Sequence, residues 1–216
     1  MRKKITWLVG AVVALLVATG VFAACGGKNL QFPPYEYDYS TPVEEFGDGI
    51  RIDGKLDESI WSGRKYLTAD IKNTPAKYRM TSYFGEKGVY FAFDIADNAV
   101  YYNADREIYA NSGVEFCVGS PSDNRITYEI DLNAGGKRML RKYTGQPYTN
   151  WFSDLHSAVS VQGEINTPSC TGYTAEIYLP YALFNADGSD TKLDTLLVNP
   201  AIIRANSASG STSDVD

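Results

Sequence analysis

From residue 49 onward the apolar positions of the chain recur with a period of two. In GVYFAFDIAD (88–97), Val89, Phe91, Phe93 and Ile95 alternate with Tyr90, Ala92 and Asp94. In RITYEIDLN (125–133), Ile126, Tyr128, Ile130 and Leu132 alternate with Thr127, Glu129 and Asp131. In GYTAEIYLP (172–180), Tyr173, Ala175, Ile177 and Leu179 alternate with Thr174, Glu176 and Tyr178, and in VEFCVG (114–119) Val114, Phe116 and Val118 share one side. Side chains of a strand point alternately to opposite faces, so each stretch predicts a strand with one buried face. KYRMTSYFG (77–85), HSAVSVQG (156–163) and LLVNPAIIRAN (196–206) complete the set, Pro200 marking an edge or a bulge in the last. GEKG, SPSDN, NAGGK and NADGSD are the turns between strands. Only LPYALF (179–184) suggests a helical turn.

Many short strands separated by polar turns predict an all-β protein, an antiparallel β-sandwich of immunoglobulin-like or jelly-roll type. Each sheet is expected to bury one side. After residue 206 the sequence reads SASGSTSDVD, with no alternation, so the sandwich is expected to lack its last strand there. The domain is placed at residues 47–208, with a polar tail at 209–216. The stretch before it, 25–46, holds Pro33 and Pro34 and no periodicity, and reads as a tether.

The first residues follow a different pattern. Arg2, Lys3 and Lys4 precede an apolar run from Ile5 to Val17, and small residues close it before Cys25. A charged head, a short apolar run and a small-residue exit describe an export signal over residues 1–24 rather than a membrane span. Phe22-Ala23-Ala24-Cys25-Gly26-Gly27 resembles the lipobox of bacterial lipoproteins, departing from it at Phe22, where Leu is usual. The resemblance implies cleavage before Cys25, lipidation of that residue, and an exported protein held on a bacterial membrane or cell surface by its acyl chains.

Composition narrows the function. The formal charge is −6 and no basic patch stands out, so nucleic acid is not an expected partner. Tyr occurs 16 times and His once, which argues against a His-based triad or a His-ligated zinc centre. The remaining cysteines, Cys117 and Cys170, do not make a disulfide framework, and Cys117, inside a strand, is expected as a buried free thiol.

One stretch carries a family signature. In IRIDGKLDESIW, residues Ile52, Asp53, Gly54, Asp57, Glu58 and Trp61 resemble the entry segment of family 9 carbohydrate-binding modules. GVYFAFDIAD, SGVEFCVG, RITYEIDLN, GYTAEIYLPYALF and LLVNPAIIRAN resemble later strands of that family, in its order, over residues 49–206. Asp53-Gly54 suits a tight turn, and Trp61 is expected to plug one end of the sandwich as a core residue. The resemblance implies a sandwich related to DOMON-type domains that binds a poly- or oligosaccharide without cleaving it. Such modules clamp a sugar ring between aromatic side chains, because its C–H face stacks while its hydroxyls need polar partners. Carried over to this chain, Tyr109 stands at the first clamp position and Glu115 at the polar position of the following strand. Glu129 and Asp131 stand where the family often has Arg and Asn. The second clamp Trp has no counterpart near the C-terminus, and Trp151 is the candidate substitute. No cofactor is expected. Calcium, which such modules often hold, would have Asp94, Asp97 and Asp105 as its candidate ligands.

Three other readings compete. A glycoside hydrolase, or the binding module of a longer one, would use two of Glu115, Glu129 and Asp131. A haem carrier would need ligands from His156, Met80 and Met139. A surface spacer would bind nothing.

Overall fold

In the computed structural model the described residues are 38–39, 48–71, 73–122, 127–142, 149–150, 155–208 and 212–215. All belong to the unit Tyr35–Asp216. The strands are β1 (Asp38–Tyr39), β2 (Leu67–Asp70), β3 (Lys77–Phe84), β4 (Gly88–Ala96), β5 (Gly113–Gly119), β6 (Tyr128–Asn133), β7 (Lys137–Lys142), β8 (Thr149–Asn150), β9 (His156–Gln162), β10 (Gly172–Pro180), β11 (Leu197–Ala205) and β12 (Thr212–Val215). They form two antiparallel sheets. One has five strands in the order β2-β3-β4-β10-β9; the other has seven, in the order β1-β7-β6-β5-β11-β12, with β8 also on β7. No α-helix occurs among the described residues, and LPYALF makes a 3-10 turn at Tyr181–Leu183. The expected β-sandwich is therefore what the chain forms.

The alternation read from the sequence decides which side chains meet between the sheets. Val89, Phe91, Phe93 and Ile95 of β4 and Tyr173, Ala175, Ile177 and Leu179 of β10 share a core with Val114, Phe116 and Val118 of β5 and Tyr128, Ile130 and Leu132 of β6. Phe116 lies 5.0 Å from Phe91 and 5.4 Å from Phe93, ring centroid to centroid, in tilted geometry. Burying each such ring removes apolar area worth roughly 2–3 kcal/mol from water. Two of the buried tyrosines place their hydroxyls on backbone carbonyls: Tyr128 donates to Leu183 O (2.8 Å) and Tyr181 to Gly85 O (3.1 Å).

The expectation that each sheet buries only one side fails for the five-stranded sheet. Its outer face carries a second apolar cluster, in which Tyr90, Ala92, Ala158 and Tyr178 pack beneath Ile50, Ile52 and Trp61. The IDGKLDESIW segment therefore lies as a strap across that face, and Trp61 is 3% exposed. Glu176 of β10 holds the strap down. Its carboxylate accepts from Asp53 N (3.0 Å), Gly54 N (2.9 Å) and Trp61 Nε1 (3.0 Å). Burial and the charge of Glu58 push the Glu176 pKa up, while the three N–H donors work in the opposite sense. Gly54 has φ +81°, and a Cβ there would come within 2.5 Å of the Val159 backbone, so the tight approach of strap to β9 requires glycine.

Three further features differ from the sequence reading. Thr212–Val215, expected as part of a polar tail, pair with β11 as β12, Ile203 opposite Val215. β7, with the sequence KRMLRK, was not expected as a strand and is the neighbour of β6. Cys117 is half-buried rather than buried; it and Cys170 are both free thiols.

Candidate functional site

The outer face of the seven-stranded sheet carries side chains of another kind. On β5 and β6 the residues that alternate with the core are Glu115, Cys117, Glu129 and Asp131. The strand register sets them side by side: Glu115 opposite Asp131, and Cys117 opposite Glu129. The next strand continues the pattern, with Met139 opposite Asp131 and Arg141 opposite Glu129. Opposed positions on one face of a sheet are in direct side-chain reach.

The result is a charged cluster. Oxygens of Glu115, Glu129 and Asp131 all lie within 4.8 Å of one another. Arg141 Nη2 reaches Asp131 Oδ2 at 2.8 Å and also contacts the Glu129 carboxylate. Asp131 is 1% exposed, Glu129 and Arg141 are buried, and Glu115 is half-buried. The cluster therefore reaches outward through Glu115. Burial pushes Asp131 up to about 7, and Glu129 and Glu115 add to the shift while Arg141 opposes it. Glu115 is raised as well, first by burial and then by Glu129, with Arg141 and a hydrogen bond to Asp131 pulling the other way. Burial pushes Cys117 up to about 11, so the thiol in this acidic surrounding stays protonated and is a poor nucleophile.

Tyr109 sits in the 3-10 turn Ile108–Ala110, shortly before β5, and is 42% exposed. The turn lies against β6, β7 and β11, at the end of the sheet where β5 begins. Its loop is pinned. Asn111 accepts from Asn103 N (2.6 Å) and donates to Glu107 O (2.9 Å), and Lys137 Nζ donates to Arg106 O (3.2 Å). Ile108 is buried beneath it. An exposed ring on a fixed turn is what stacking against a ligand requires.

The structure thus brings Glu115, Glu129 and Asp131 together, with Tyr109 on the turn before β5. Trp151 and Cys25 lie outside the described residues. The three aspartates named for calcium do not gather. Asp94 pairs with Arg79 (2.7 Å) and Asp97 with Arg204 (2.9 Å), while Asp105 stands on an exposed loop. Among the described residues, the carboxylates that come together as a group are Glu115, Glu129 and Asp131. The residues named for haem are also apart: Met80 is in the inter-sheet core, Met139 opposite Asp131 on the other sheet, and His156 against Tyr178 on the five-stranded sheet.

Arg141 is the member of this cluster that sequence reasoning missed. The signal was present. NAGGK is a hairpin turn, and counting outward from it pairs residue 129 with residue 141.

This fold is that of family 9 carbohydrate-binding modules. A module of that family from Caldicellulosiruptor kristjanssonii, in complex with cellotriose, superposes with a TM-score of 0.50 at 15% identity, covering 82% of this chain and 78% of the other. The same organism's module in complex with glucose gives a TM-score of 0.50 at 15% identity, covering 82% and 81%. No protein-family model matches the sequence, and no curated protein does.

Proposed function

We propose that this chain is a non-catalytic carbohydrate-binding module of an exported, lipid-anchored protein. It holds a poly- or oligosaccharide at the outer face of the seven-stranded sheet. Tyr109 stacks on a sugar ring, and the carboxylates around Glu115, with Arg141, take its hydroxyls. The observation that supports this reading is a polar cluster on the seven-stranded sheet, with an exposed, pinned aromatic on the turn that leads into β5, in a fold whose similar structures bind cellotriose and glucose. The family residue replaced on β6 has its counterpart one strand away, since Arg141 restores a guanidinium to the cluster.

The same geometry argues against hydrolysis. Here three carboxylates crowd within 4.8 Å, and one guanidinium ties two of them. Neither Glu129 nor Asp131 is free to act as acid or nucleophile on a bond at the surface.

The test is calorimetric titration of the protein with soluble oligosaccharides, preceded by a glycan array, with Tyr109→Ala alongside. Binding that the variant loses while unfolding at the wild-type denaturant midpoint supports the module and places its site. Well-folded wild-type protein that binds no glycan returns the spacer reading.

A further inference from the structure

Among the described residues the cluster holds more carboxylates than cations. Glu115, Glu129 and Asp131 bring three carboxylates to one spot, and the described cation whose charge acts on both Glu115 and Asp131 is Arg141. Burying a carboxylate without a partner costs several kcal/mol, so an excess of this kind is filled by something positive. The place to be filled is defined by a second observation. Asp131 is 1% exposed, its Oδ2 is held by Arg141, and its Oδ1 has no hydrogen-bond partner. That side chain lies opposite Glu115 in the register, and Glu115 is the member that reaches solvent. Glu115 and Asp131 therefore face each other with no donor between them but the proton they share.

We propose that the ligand of this face is a cationic sugar, an amino sugar whose ammonium group binds between Glu115 and Asp131. The proposal rests on the carbohydrate-binding reading above and narrows its ligand class. A sugar hydroxyl brings one O–H to this gap and no charge. An ammonium brings three N–H donors and a full positive charge, enough for the open Oδ1 and a Glu115 oxygen together, and charge-assisted bonds are about twice as strong as neutral ones. Arg141 stays on Glu129 and Asp131, so the ammonium completes the cluster without displacing it. In the ligand-free protein a proton takes the same place, since two facing carboxyl groups cannot both ionise at so short a distance. Binding then exchanges that proton for the ammonium. Of the other side chains on this face of β5, β6 and β7, Cys117 has a thiol that stays neutral, and Lys137 Nζ donates to Ala104 O and Arg106 O.

The experiment compares three trimers of equal length by calorimetry on the full chain, in weakly acidic buffer: β-1,4-linked glucosamine, N-acetylglucosamine and cellotriose. Glucosamine and glucose differ only at carbon 2, so the comparison isolates the ammonium. The expected result is that triglucosamine binds at least about tenfold more tightly than either neutral trimer, the margin shrinking as salt is added. Glu115→Gln, at the half-buried position, removes most of the margin, and Asp131→Asn does the same. A margin that survives both variants shows only the general attraction of an acidic protein for a cation and overturns the proposal. Equal or tighter binding of a neutral trimer overturns it while leaving the carbohydrate-binding reading standing. Folded wild-type protein that binds none of the three overturns the proposal, and an empty glycan array beside it overturns the broader reading too.

Discussion

Glu176 offers a sharp perturbation because its partners are known to the atom. Oε2 takes two backbone N–H groups of the strap, from Asp53 and Gly54, and Oε1 takes the indole N–H of Trp61. Glu176→Gln keeps the shape of the side chain. Its NH2 group must then face either the indole N–H or the two backbone donors, and the lesser fault is to face the indole. One donor is left against another donor in a fully buried site, which costs about 2–4 kcal/mol. Trp61→Phe removes the indole N–H, leaves Oε1 without its donor and trims the ring, for a loss of about 2–3 kcal/mol. In the double variant the Gln NH2 no longer meets the indole donor. The combined loss is expected to fall short of the two single losses by about 1–2 kcal/mol. Urea unfolding of the wild type and the three variants measures this, provided the slope m is shared so that midpoints report stability. A domain of this size is stable by only about 5–15 kcal/mol, so each step is readily seen. Losses that simply add within about 0.5 kcal/mol would refute the claim that Glu176 and Trp61 form one clamp. An unchanged midpoint for Glu176→Gln would show that the strap is held by its apolar contacts alone.

Two further outcomes concern the charged cluster. Arg141→Met fits the volume but strips the guanidinium from buried Glu129 and Asp131, and it is expected to lower stability by about 3–5 kcal/mol in urea at neutral pH, with most of the loss recovered in acid, where the carboxylates protonate. Asp131, raised from 3.8 to about 7, keeps in the folded state a proton that the unfolded chain releases over that range. The native state thus binds more protons than the unfolded one, and wild-type stability falls as pH rises through the window, by at most about 1.4 kcal/mol per pH unit for one proton. Urea midpoints from pH 5 to pH 8 should show this slope, flattened in Asp131→Asn; identical profiles for the two proteins would show that Asp131 is satisfied as a charge.

How much of this was readable in the chain depended on whether alternation was visible. β4 and β10 announce themselves because their inner faces are apolar throughout, Val89 to Ile95 and Tyr173 to Leu179, so period two stands out against polar neighbours. β7 does not, because its core-facing side is represented mainly by Leu140 while Lys137 and Arg141 face a buried polar cluster that composition alone reads as a solvated surface. β12 carries no apolar period either, and its pairing with β11 follows from an open sheet edge rather than from its own sequence. The core role of Trp61 was legible, but its anchor was not. Glu176 stands in a strand where alternation assigns it to the polar face, and only the strap across that face, more than 100 residues earlier in the chain, turns the face into an interior.

The same reasoning explains why IDGKLDESIW and GYTAEIYLP belong together. The acids of IDGKLDESIW look like surface residues or catalytic candidates when read alone. In the fold, Asp53 and Gly54 offer backbone donors, Trp61 offers its indole, and one Glu of GYTAEIYLP collects all three. Asp53 caps its own turn, accepting from Lys55 N at 2.9 Å, and Glu58 accepts from Arg51 N at 3.1 Å. That arrangement spends the polar groups of the five-stranded sheet on architecture and closes its outer face. The seven-stranded sheet differs: among the described residues its outer face gathers three carboxylates around one guanidinium, with an exposed ring on a pinned turn at its end. That cluster, with Tyr109 on the turn before β5, is what supports seeking the ligand of the proposed module on β5, β6 and β7.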